Sequence, residues 1–204
     1  MKKFIETIKN IFKIEELRKR LGYTLLLVIL YRLGCFIVLP GIDATMLAKL
    51  QSTTSQGLVG LLNMFSGGAM GNASIFALGV MPYISASIVV QLLGMFVPYF
   101  RKLQTEGESG RQKMNQITRY LTVLIICIQG PAYIASLHSQ IPAQAFVAVN
   151  ALGWSNFLYN LVATIILMAG SMFVMWLGER ITDRGIGNGI SLIIMIGIVA
   201  RLPY

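Results

Sequence analysis

The sequence predicts an all-α, polytopic membrane helix bundle: five transmembrane helices plus one short re-entrant helix. Three observations predict it. Hydrophobic residues make up 55% of the 204 residues and charged residues only 12%, roughly half the charge of an ordinary soluble domain. Mean hydropathy is +0.70, so the chain carries more apolar surface than a water-facing shell can enclose, and lipid must act as the outer solvent. The apolar residues also fall into long runs separated by short polar or glycine-rich stretches, the pattern of successive spans.

Residues 1–20 hold Lys2, Lys3, Lys9, Lys13, Arg18, Lys19 and Arg20. Between them Phe4, Ile8 and Ile11, with Ile5 and Phe12, recur at helical spacing. An interfacial helix on anionic lipid fits this pattern, and a frayed basic tail is the alternative. Residues 21–40 form the first span. This run follows a basic stretch as a secretory leader would, but it exceeds a leader's apolar length and no small-x-small cleavage site follows it. Residues 41–56 read as a polar loop.

Residues 57–72 are too few to cross a bilayer as a helix and are interrupted at Ser66, Gly67, Gly68 and Gly71. Irregular backbone is tolerated at membrane depth only inside protein or beside water. The segment therefore reads as re-entrant, with a surface loop as the alternative. Residues 74–100 read as a long second span containing Gly79 and Pro82, and 101–119 as a charged loop. Residues 120–137 form the third span, 151–178 the fourth and 189–204 a short fifth, with 179–188 as the intervening loop. Trp154 and Trp176 lie about 33 Å apart along the fourth helix, the separation that puts one indole at each interface.

Orientation follows from the basic residues. Placing 1–20, 101–119 and 179–188 on one side collects fourteen of the 17 lysines and arginines there, which makes that side and the N-terminus cytoplasmic.

The candidate chemistry is sparse. The GxSG spacing over 107–110 offers Ser109 as a nucleophile, but a hydroxyl needs a base within reach. The single histidine, His138, falls on the opposite side in this topology. The glycine-rich run 185–189 follows no strand and carries no Lys-Ser/Thr, so it reads as a turn rather than a phosphate loop. Cys35 and Cys127 lack metal or redox spacing. No catalysis, cofactor or metal is predicted.

On the second span, Val80, Ile84, Ser87 and Gln91 share one helical face, branched aliphatic at one end and polar at the other. A water-filled funnel narrowing to an apolar ring fits this gradient, and packing through small polar residues fits it equally. Arg32 lies inside the first span without an acidic partner in any span. An intramembrane charge is a functional candidate by default, and a carbonyl-bonded structural arginine is the other reading.

Several strings resemble the SecY family: MFSGGA at 64–69, ASIFALG at 73–79, MPYISAS at 81–87, EGESGR at 106–111 and WLGERITDRGIGNGIS at 176–191. The resemblance covers nearly the whole chain and is weakest over 138–150. It implies a central subunit of a protein-conducting channel with ten helices in two inverted five-helix halves around an hourglass pore. It further implies a plug formed by Leu58, Leu61, Leu62, Phe65, Ser66, Gly67 and Gly68, and a pore constriction with contributions from Val80, Ile84 and Ile194. The family usually has isoleucine at the first of these, so Val80 lacks one methylene. Ser85, Ser87 and Gln91 would line the cytoplasmic funnel and gate face, with spans two and three forming one wall of a lateral gate.

The partners the resemblance implies are SecE and SecG, the SecA ATPase or a ribosome, signal sequences and nascent chains, and the C-terminal half of SecY. Anionic lipids join them, and the location is the bacterial inner membrane. The chain stops at Tyr204, about where the first half of such a protein would end, so the remainder is expected elsewhere. A solute transporter of inverted repeats is the competing class. That class expects convergent charged groups at the midplane, where this chain offers Arg32 alone.

Overall fold

The computed structural model describes residues 14–43, 66–140, 145–146, 149, 153 and 155–200. Among these, all extended regular structure is helical: α1 (Glu15–Gly34), α2 (Met81–Phe96), α3 (Pro98–Thr105), α4 (Glu108–Gln140), α5 (Asn156–Arg184) and α6 (Gly189–Val199). Two isolated antiparallel bridges, Val38 with Ser74 and Ile42 with Phe146, tie the irregular segments. α4 packs against α2 and α5, and α5 also receives α1 and α6. The long α5 is therefore the central post of the bundle.

Local chemistry sets the helix ends. α1 opens with Glu15 and Glu16, which suit the positive end of the helix dipole and pair with Lys19 (2.9 Å) and Arg20 (3.0 Å) one turn on. Pro82 stands in the first turn of α2, where its missing N–H is harmless. Pro98 ends α2 and starts α3 across a 101° bend. Ser155 caps α5 by accepting from the Leu158 N–H. Asn188 caps α6 by accepting from Ile190 and Ser191, so the run 185–189 is a turn ending in a helix cap.

Several boundaries differ from the sequence expectation. α1 begins before residue 21 and ends at Gly34, leaving 35–43 irregular. No continuous helix covers 74–100: residues 66–80 run as successive turns, and helix starts only at Met81. Gly79, at φ +52°, takes a left-handed conformation that stops a helix rather than bending one. The stretch 101–119 is largely helical, since α3 and α4 leave only Glu106 and Gly107 between them. Likewise α5 runs on to Arg184 through the predicted 179–188 loop, and it starts at Asn156 rather than 151. Charged side chains are as well solvated on a helix as in a loop, so composition marked the membrane boundary and not the helix end.

Two helices, α4 and α5, are individually long and apolar enough to cross a membrane, and α2 with α3 makes a third if the bent pair counts as one span. α1 has 20 residues, but five of its first six are charged. α6 is an apolar helix of only 11 residues. Residues 1–13 of the basic helix expected over 1–20, Trp154, and the part of the re-entrant segment before Ser66 lie outside the described residues.

The core has two parts. One gathers Leu39, Ala73, Tyr133, Phe146, Tyr159 and Leu167; the other gathers Leu27, Tyr31, Phe76, Val80, Leu177 and Ile193. Both contain residues of the irregular segment 66–80, which forms a strap between α1, α4, α5 and α6. Elsewhere large apolar side chains face outward, as Leu33, Phe36, Phe96, Ile128 and Phe157 do. Such a surface belongs against lipid or other apolar chains.

Candidate functional site

A non-helical strap in an apolar bundle must find partners for its backbone, because each unsatisfied amide or carbonyl in hydrocarbon costs several kcal/mol. Backbone pairing with the segment after α1 supplies some: the Leu39 N–H donates to the Ala73 carbonyl (2.8 Å) and the Ile75 N–H to the Ile37 carbonyl (3.0 Å). Side chains of the flanking helices supply others. The Tyr133 hydroxyl of α4 donates to the Met70 carbonyl (2.8 Å). From α1, the Tyr31 hydroxyl donates to the Ser66 carbonyl (3.4 Å) and the Arg32 guanidinium to the Gly67 carbonyl (2.9 Å). Of the two readings of Arg32, the carbonyl-bonded one matches this geometry. Its guanidinium also lies 5.9 Å from the Phe36 ring, a distance suited to a cation–π contact.

Phe76 anchors the middle of the strap. Its ring stacks between Tyr31 of α1 (centroids 6.1 Å apart) and Phe173 of α5 (5.9 Å), and Phe173 stacks on Trp176 (5.8 Å). Gly34 and Gly170 make the room. A Cβ on Gly34 would overlap the Phe76 ring, and one on Gly170 would overlap the Ile75 carbonyl.

Where the strap meets α2 and α6, a small cavity of about 40 Å³ is lined by Tyr31, Ser66, Leu78, Gly79, Val80, Met81, Ile84 and Ile194. It holds little more than one water and is almost wholly apolar. Val80, Ile84 and Ile194, named from separate stretches of sequence, thus border one space, and Ser66 borders it too. Val80 sits at the N-cap of α2 with near-helical angles, and its carbonyl accepts from the Ile84 N–H (3.0 Å). The two side chains therefore stay one turn apart although the helix proper starts after Val80.

Ser85, Ser87 and Gln91 are not in this cavity. They lie farther along α2, whose inward packing face is Pro82, Ala86, Val90 and Gly94. Ser85 donates to its own helix at Met81, and Gln91 donates to the Ser87 hydroxyl (3.4 Å). Ser85 and Gln91 are exposed, so no described helix packs on them. Gly67 and Gly68 take left-handed conformations (φ +64° and +91°) where the strap approaches Gly197 of α6. Leu58, Leu61, Leu62 and Phe65 lie outside the described residues.

Sequence reasoning missed Tyr31 and Tyr133. A hydroxylated aromatic inside an apolar run was the available signal, because a buried phenol requires a partner. It also missed the link between α4 and α5, where the Arg119 guanidinium donates two hydrogen bonds to the Glu179 carboxylate, residues 60 apart in sequence. Ser109 and His138 stand near opposite ends of α4, roughly 40 Å apart at ~1.5 Å per residue. His138 instead contacts the Ile134 carbonyl and stacks on Phe146.

Comparison with known proteins matches this sequence to the SecY family. The SecY family profile matches residues 74–204, which include the second half of the strap and every helix from α2 onward. Protein translocase subunit SecY of Buchnera aphidicola from Acyrthosiphon pisum is 46% identical over 190 residues, 93% of this chain and 42% of that protein. Its counterpart from Buchnera of Schizaphis graminum is 44% identical over all 204 residues, 45% of that protein. The Escherichia coli K12 subunit is 47% identical over 188 residues, 92% of this chain and 41% of that protein. The chain thus spans less than half the length of these three relatives. With most of its length under the family profile and the similarity running through both strap and cavity, this chain belongs to the SecY family of membrane proteins.

Proposed function

We propose that the chain is the N-terminal half of the central subunit of a protein-conducting channel. It passes unfolded secretory proteins across the bacterial cytoplasmic membrane and releases membrane segments sideways through a lateral gate. The observation that carries this reading is the convergence of Val80, Ile84 and Ile194 on one narrow apolar cavity bordered by Ser66. An aliphatic constriction yields to any passing side chain and sheds water when idle. The polar face of Ser85, Ser87 and Gln91, open along α2, suits the wall of a wet funnel leading to that constriction.

In the assembled channel the C-terminal half of SecY completes the ring and the second gate wall. SecE and SecG brace the subunit, and SecA or a ribosome drives the chain. The relatives are named subunits of a protein translocase, which supports membership of a larger assembly. The segment from Leu58 to Gly68 acts as the plug, and the basic N-terminal residues rest on anionic lipid.

Photocrosslinking tests the path. With a photoreactive residue at Ile84 in the full-length protein, a secretory precursor stalled in transit crosslinks strongly. The same residue at Leu124, exposed on α4, gives lipid adducts instead. Equal yields at the two positions would remove Ile84 from the path.

The basic-residue bias supports a cytoplasmic N-terminus, with α3 and the start of α4 on that side. Single cysteines at Gln104 and Ser139 are then labelled from opposite faces of intact membranes. Labelling of both from one face would refute the orientation.

A further inference from the structure

The strap is not held uniformly. From Met70 to Phe76 it is fixed by backbone pairing with 37–39, by the Tyr133 bond and by the stacked Phe76 ring. From Ser66 to Gly68 the cross-helix donors among the described residues include the α1 side chains Tyr31 and Arg32, while the Met70 N–H donates to Ser66 Oγ (3.1 Å) and the Asn72 N–H to the Gly68 carbonyl (3.0 Å). Gly67 and Gly68, both left-handed, lie within this second stretch. Two consecutive glycines in that region can exchange conformations at little steric cost. A pivot thus lies next to a charged donor.

Arg32 has further reason to hold on. Among the described residues it makes no ion pair, so the Gly67 carbonyl is a principal compensation for a guanidinium at membrane depth. A hydrogen bond from a charged donor is about twice as strong as a neutral one. Gly67 also approaches the Gly197 backbone of α6, where a Cβ would come within 3.1 Å. Swinging Gly67 outward breaks the Arg32 bond and opens the seam with α6 together.

We infer that Arg32 is a positioning residue that latches the strap: its bond to the Gly67 carbonyl keeps Ser66–Gly68 seated over the Val80–Ile84–Ile194 cavity, and displacement about Gly67 and Gly68 requires that bond to break. The inference rests on the channel reading above for its consequence, and on the strap geometry alone for the latch itself.

The test uses full-length protein purified with its partner subunits in nanodiscs, where reagent reaches both faces. Cys35 and Cys127 are replaced by alanine and Ser66→Cys is introduced. Ser66 is buried, at 7% exposure, so a water-soluble maleimide reports strap opening. Arg32→Leu raises the labelling rate at least tenfold, the effect of losing one charge-assisted hydrogen bond. Arg32→Lys, which keeps the charge and a shorter donor, gives a smaller rise. It carries the same comparison with wild type if the leucine variant does not accumulate. Labelling unchanged within twofold in the variants that accumulate overturns the latch.

Conductance of the same proteins in planar bilayers separates the two ideas. Faster labelling without added conductance keeps the latch and removes the channel role from this site. Unchanged labelling, with conductance still raised by substitutions at Val80 and Ile84, keeps the channel and removes the latch.

Discussion

Replacing Val80 and Ile84 together by serine, in the complete channel, raises resting ion conductance by at least about tenfold while leaving membrane insertion intact. On the channel reading proposed above, the idle pore must exclude ions, and dehydration is the barrier that this cavity would supply. A cavity of about 40 Å³ whose walls are mostly apolar offers water few hydrogen bonds, and an ion stripped of water pays a large desolvation cost. Serine hydroxyls at both positions wet the space and supply oxygen ligands. Val80 and Ile84 are adjacent across one helical turn, so the double substitution converts a continuous stripe of the lining. The remaining wall includes Ile194 on α6, and one branched side chain cannot close the gap alone. Planar-bilayer recordings of purified complex provide the readout. A double variant as tight as wild type, and still tight once residues 58–68 are deleted, would show that the seal lies elsewhere.

Phe76→Ala destabilises the folded protein by about 3–5 kcal/mol, the range for removing a buried aromatic. The ring is 6% exposed, stacks on Tyr31 and Phe173, and fits against Gly34 and Gly170. In a bilayer the hydrophobic effect does not separate inside from outside, so close packing and ring contacts carry the stability. That makes the void left by Phe76 expensive, and the strap's flanking helices cannot simply close on it. The Gly170 backbone already lies against Ile75, and the strap is tied at Ala73 and Ile75. Phe96, 81% exposed at the end of α2, is the control: Phe96→Ala changes stability by less than about 0.5 kcal/mol. Reversible unfolding in mixed micelles of lipid and denaturing detergent measures both. Equal stability for the two variants would mean that Phe76 does not anchor the strap.

The sequence by itself determined the membrane class and the helical content, because both follow from solvent physics. A chain with 12% charged residues can satisfy its backbone in lipid only by helices or closed barrels, and runs as long as those in α4 and α5 favour helices. The grouping of Val80 with Ile84 was legible from helical spacing, and the SecY resemblance joined Ile194 to them. The irregular character of Ser66–Gly71 was legible from its glycines and from the shortness of the run.

Only the tertiary structure decided where that irregular stretch ends. Residues 74–80 are apolar enough to have continued as helix, yet the Ile37 carbonyl accepts the Ile75 N–H and Gly79 turns left-handed. Hydropathy is blind to that competition, since helix and strap bury the same side chains. The tertiary structure also decided what Arg32 and Tyr133 do. A donor inside an apolar bundle must find an acceptor, but which one depends on a carbonyl 35 or 63 residues away. No local pattern encodes such a partner. It exists because the strap's unpaired carbonyls and the helices' buried donors each lack water, and folding brings them together.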